Sequence, residues 1–150
     1  MSDKDIASAV NCAINHIGTG IYSSGRIVSY LLTKDYPDDI SYAAVAELEE
    51  RGYIDDRRAA RKVTNSRTGK KQESRNYIYN RLLQAGIKEA IADEISCSLE
   101  DDVTTCKLLF DASFKTEGTD KEEFLKLAKL RGYSLESGNK AYALWLSEHK

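Results

Sequence analysis

Apolar and polar positions along this chain follow one rhythm of three or four residues, with no long run of strict alternation. That is the period of amphipathic helices, not of strands. The rhythm is interrupted in the same way three times, by a tight turn that ends at Tyr36, Ile87 and Tyr133. Nine residues before these positions stand Ile27, Ile78 and Phe124, and five before stand Leu31, Leu82 and Ala128, so the preceding apolar faces superpose. Four, eight and twelve residues after them come Ile40, Ala44 and Leu48, then Ile91, Ile95 and Leu99, then Ser137, Ala141 and Trp145. Those are stripes on successive turns of a following helix. The residue just before each turn position is Asp35, Gly86 or Gly132. Glycine suits the left-handed cap that ends a helix, and Asp adopts it less readily.

The turns lie 51 and 46 residues apart, which is room for three helices of about 10 to 14 residues with short links. The pattern therefore predicts an all-α fold of three tandem three-helix repeats, residues 1–53, 54–100 and 101–150. Units this small bury little alone, so they are expected to stack into an elongated, curved helical array. Helices are predicted near 4–17, 24–34, 39–51, 56–67, 73–85, 88–99, 102–114, 120–131 and 135–148. The start signals are Asp38 after Pro37, Asp55 before Asp56, Thr119 three residues ahead of Glu122, and Ser134 after Gly132-Tyr133. Pro37 is the sole proline, so the commonest helix breaker is nearly absent.

Composition narrows the class. With 41% hydrophobic and 31% charged residues the chain can fold and must stay hydrated. No stretch is apolar enough to span a membrane, and Met1-Ser2-Asp3-Lys4-Asp5 lacks the layout of a secretory signal, so a cytoplasmic protein is expected. Cys12, Cys97 and Cys106 form no CxxC pair, and only His16 and His149 could complete a metal site, so neither a metal nor another cofactor is expected. Cys97 and Cys106 read as buried free thiols. His16, late in the first helix, has no acid or nucleophile at catalytic spacing and reads as a surface or capping residue. Gly18-Thr19-Gly20 lacks the Lys-Ser/Thr ending of a phosphate loop and reads as a linker. No catalytic residues are assigned.

Charge changes the picture most. The chain is net −2, yet Arg57, Arg58, Arg61, Lys62, Arg67, Lys70, Lys71, Arg75 and Arg81 fall in one stretch with a single acid, Glu73. That stretch is +8 and the remainder −10, an asymmetry that points to a directed electrostatic face for DNA or a protein partner. Tyr77 and Tyr79 could stack on unpaired bases, although core burial is the favoured reading beside Ile78. The acid pairs Asp38-Asp39, Asp55-Asp56 and Asp101-Asp102 each precede a helix, where carboxylates accept backbone N–H bonds and oppose the dipole.

Two segments carry a resemblance to a known family. Glu47-Leu48-Glu49-Glu50-Arg51-Gly52-Tyr53-Ile54-Asp55-Asp56-Arg57-Arg58-Ala59-Ala60 and Phe124-Leu125-Lys126-Leu127-Ala128-Lys129-Leu130-Arg131-Gly132-Tyr133-Ser134, with Leu82-Leu83-Gln84-Ala85-Gly86-Ile87 between them, resemble the RecX regulatory proteins in order and spacing. The resemblance implies a regulator that binds the RecA recombinase filament on single-stranded DNA and modulates, mostly by inhibition, its recombination, ATPase and coprotease activities. No nucleophile-base or metal arrangement stands in the sequence, so no enzymatic activity is expected, and the chain is expected to be a monomer. The competing expectation is a stand-alone helix-turn-helix module that binds duplex DNA by itself.

Overall fold

The protein, described here as a computed structural model, is defined over residues 5–115 and 118–149. Among the described residues there are nine α-helices, one short 3₁₀ turn and no strand, so the all-α expectation holds. The helices are α1 (Ile6–Ile17), α2 (Ser24–Thr33), α3 (Asp38–Glu50), α4 (Asp56–Asn65), α5 (Arg75–Gln84), α6 (Glu89–Ser98), α7 (Asp102–Ser113), α8 (Lys121–Leu130) and α9 (Leu135–Glu148), with the 3₁₀ turn at Gly69–Lys71. Each matches a predicted helix to within a few residues; the predicted start at residue 4 lies outside the described residues.

The helices begin where short polar side chains satisfy the first free amides. Asp5 accepts from Ser8 N at 2.8 Å, Ser23 from Arg26 N at 3.2 Å, Ser74 from Tyr77 N at 3.1 Å, Asp101 from Thr104 N at 2.8 Å and Ser134 from Ser137 N at 3.1 Å. The Thr104 amide holds the Asp101 carboxyl below its usual range. One start is displaced. The cap of α8 is Asp120, not Thr119, because α8 begins at Lys121 and so places Glu123, rather than Glu122, at the third helical position.

The predicted turns close alike. Tyr36 N donates to Leu31 O at 3.2 Å, Ile87 N to Leu82 O at 3.1 Å and Tyr133 N to Ala128 O at 3.0 Å, the six-residue bond of a Schellman cap. The preceding residues are left-handed, Asp35 at φ 66°, Gly86 at 86° and Gly132 at 88°. A fourth such cap ends α3, where Tyr53 N reaches Leu48 O at 2.9 Å.

Two compact units organise the chain. One takes residues up to Lys62 together with Leu82–Ala92, and the other takes Val63–Arg81 with the chain from Asp93 onward. In the first, α1, α2 and α3 pack together around Ala13, Ile27, Leu31, Ala44 and Leu48, all without solvent exposure. In the second, α7 and α8 pack on α9 around Phe110, Phe124 and Trp145, with Phe110 edge-on to Phe124 at 5.0 Å. The predicted stripe of α6 is rotated: Ala92 and Ser96 are its buried positions, and Ile91, Ile95 and Leu99 are only half-buried.

Within the first unit one carboxylate joins three helix starts. Asp56, 3% exposed at the head of α4, accepts from Ser24 N at 2.6 Å, Ser24 Oγ at 2.7 Å and Lys88 N at 2.9 Å. Those amides sit at the beginnings of α2 and α6. Beside this contact Gly25 N donates to Gly86 O at 2.9 Å, and a Cβ on Gly25 would fall 2.7 Å from that oxygen, so only glycine fits. Asp56→Ala removes the acceptor from buried donors, which is expected to cost about 2–4 kcal/mol. Urea denaturation checks this; a midpoint equal to that of the parent protein would contradict it.

Candidate nucleic-acid and partner interface

The basic stretch divides by what its side chains do. α4 is built on a small buried face, Asp56, Ala59 and Ala60. The helical period then turns Arg57, Arg58, Arg61 and Lys62 outward, and all four are exposed. Arg57 and Arg61, like Arg58 and Lys62, stand four residues apart, where like charges destabilise a helix by roughly 0.2–0.5 kcal/mol per pair. The start of α4 is held by Asp55 Oδ1, which accepts from Arg57 N at 3.0 Å and Arg58 N at 3.3 Å.

In the second unit three of the predicted cations turn inward. The Glu73 side chain, 2% exposed, receives Arg81 as a fork, Nε on Oε1 at 2.5 Å and Nη2 on Oε2 at 2.7 Å, with Arg67 Nε at 3.7 Å. The bond to Glu73 pushes the Arg81 guanidinium still further up. Arg75 donates through Nη2 to Leu99 O and through its backbone N to Asp102 Oδ1 at 2.9 Å. These three arginines fix the segment between α4 and α5 and the start of α7. Lys70 and Lys71 lie exposed in the 3₁₀ turn.

Sequence reasoning counted Glu73 only as the lone acid of its stretch; its isolation among nine cations was the available signal for a buried counter-charge. Asp56 and Asp102 were read as local helix starters, whereas each also receives an amide from another helix, Ser24 N or Arg75 N. Asp38 and Asp39 do open α3. Tyr77 departs from its expected burial at 38% exposure, since Ile78 takes the inward position, and Tyr79 is half-buried.

The thiols also separate. Cys106 is fully buried, and burial pushes it up to about 12. Cys97 is exposed, contrary to expectation, because Ala92 and Ser96 rather than Ile95 and Leu99 define the buried side of α6. His16 is an exposed residue stacked on Tyr30 at 3.7 Å. Among the described residues no group of three His, Cys, Asp or Glu side chains could hold a metal, and no helix is long and apolar enough to cross a membrane.

This architecture is that of an all-α helical protein in which a cationic helix face is built on a buried carboxylate. No family model matches the sequence. Over 95 residues, 63% of this chain and 63% of the relative's length, it is 32% identical to the regulatory protein RecX of Chlorobium phaeobacteroides (strain BS1). The crystal structure of RecX from Lactobacillus salivarius has the same fold, with a TM-score of 0.72 at 17% identity over 95% of this chain and 97% of that one. Both likenesses fall on one family and agree with the resemblance seen in the sequence: the chain is similar to RecX regulatory proteins over part of its sequence and shares the fold of one of them.

Two outcomes are expected. Glu73→Gln leaves Arg67 and Arg81 facing a neutral amide and costs about 2–3 kcal/mol, less than a fully buried pair because the Arg81 side chain is 40% exposed; an unchanged denaturation midpoint would contradict it. Iodoacetamide near neutral pH modifies Cys97 in the folded protein and reaches Cys106 only after unfolding, which peptide mass mapping reads directly.

Proposed function

We propose that this chain binds the RecA recombinase filament assembled on single-stranded DNA and modulates it, chiefly by inhibiting recombination, ATP hydrolysis and coprotease activity. The observation that carries the reading is the outward face of α4, where Arg57, Arg58, Arg61 and Lys62 are exposed in a chain of net charge −2. Four exposed cations on one short helix suit an anionic surface, either phosphate or acidic protein. Lys70 and Lys71 give the second compact unit exposed cations of its own. A ligand held at more than one point on a polymer gains from effective concentration, and such contacts would hold protomers in one arrangement. The likeness to the regulatory protein RecX of Chlorobium phaeobacteroides supports the choice of partner.

The test is single-strand-dependent ATP hydrolysis by a cognate recombinase titrated with this protein. Hydrolysis is expected to fall as the protein is added, and no effect at severalfold excess would contradict the proposal. In the variant Arg58→Glu, Lys62→Glu, Lys70→Glu and Lys71→Glu, all exposed positions, inhibition is expected to weaken at least about tenfold. If these side chains meet phosphates, the dependence of log affinity on log salt flattens by about 0.7 for each phosphate that is no longer neutralised. Unchanged inhibition by the variant would remove the basic residues from the interface.

A further inference from the structure

The second compact unit carries a cleft of about 890 Å³ along α8 that shares only Lys70, at its edge, with the filament proposal. Its floor is apolar: Phe114 and Leu127 are backed by the core, and Leu130 beside them is 70% exposed. Tyr77, 38% exposed, supplies a wall. That wall is preformed. Ser74 N donates to Arg131 O at 3.1 Å, Tyr77 N to Ser74 Oγ at 3.1 Å, and Tyr77 lies so close over Gly132 that a Cβ there would sit 2.3 Å from its Cδ1. The cleft is edged by Lys70, Lys126, Lys129 and Arg131 against one acid among the described lining residues, Glu123. The Arg131 Nε is buried without a hydrogen-bond partner.

Apolar floor and cationic edge together restrict the occupant. A plain polyanion leaves Phe114, Leu127 and Leu130 uncovered, and a neutral apolar segment leaves the cations unanswered. A single nucleic-acid strand is held by aromatic platforms for successive bases, whereas this cleft offers one exposed ring and two leucines. An amphipathic helix bearing leucines on one face and acids beside them matches both parts. We propose that the α8 cleft is a docking site for an acidic amphipathic segment of a partner protein. Apolar side chains of the segment enter between Tyr77, Leu127 and Leu130, and its carboxylates meet Lys126, Lys129 and Arg131.

The probe is a fluorescein-labelled, helix-forming acidic peptide with leucines at i, i+3 and i+4, followed by anisotropy and by methyl resonances of Leu127 and Leu130 in the full chain. The peptide is expected to bind and to shift both leucines. Leu130→Glu and the pair Lys126→Glu, Lys129→Glu should each weaken it at least about tenfold, with circular dichroism unchanged because the three side chains are exposed. An otherwise identical peptide with serines for leucines should not bind. The inference is overturned if the parent protein does not bind the peptide, if the serine peptide binds equally well, or if an oligothymidylate displaces the peptide and shifts the same methyls. The substitutions of this test, at Lys126, Lys129 and Leu130, are not among those that test the filament proposal, and the readout needs no filament, so either proposal can fail while the other stands.

Discussion

A carboxylate taken out of water is costly unless its oxygens are fully engaged. At Asp56 they are: two backbone amides and one hydroxyl converge on it, and both amides belong to helix starts, where the dipole favours negative charge. This one contact fixes more than stability. With Asp56 turned inward, the 3.6-residue period sends Ala59 and Ala60 in after it and leaves Arg57, Arg58, Arg61 and Lys62 no place but the surface. The cationic face is therefore the other side of a buried acid.

The same chemistry returns elsewhere in the chain. Asp102 receives Arg75 N as Asp56 receives Ser24 N. Ser8 Oγ and Tyr36 OH lie 2.8 Å apart across 28 residues, and so do Thr105 Oγ1 and Tyr133 OH. The position 28 residues before Ile87 is Ala59, so where the turn residue has no hydroxyl its counterpart has none either. Of the middle predicted repeat, residues 54–62 and 82–92 fall in one compact unit and residues 63–81 and 93–100 in the other.

Features governed by near neighbours were legible in the sequence. Left-handed caps at Asp35, Gly86 and Gly132 and the burial of Tyr36, Ile87 and Tyr133 follow from local spacing. Partners far along the chain were not: nothing in the i, i+3 and i, i+4 pattern tells Asp56 to meet Ser24, or Glu73 to gather Arg67 and Arg81 while Lys70 and Lys71 stay outside. Faces set by packing density escaped for the same reason. In α6 the small residues Ala92 and Ser96 take the inward side and displace the larger Ile91 and Ile95 that periodicity favoured, which also exposes Cys97. A cluster of nine cations was read as one surface, but three of them serve the fold, and the proposed interface rests on the rest.

The central claim is that the α4 face held outward by Asp56 meets the recombinase filament. It is tested most directly by placing a photo-crosslinking side chain in turn at Arg58, at Lys62 and, as a control remote in sequence, at the exposed Leu144, then irradiating with the filament on single-stranded DNA. Adducts to recombinase or DNA from positions 58 and 62, and few or none from 144, are the predicted result. Adducts from 144 with none from either α4 position would contradict it.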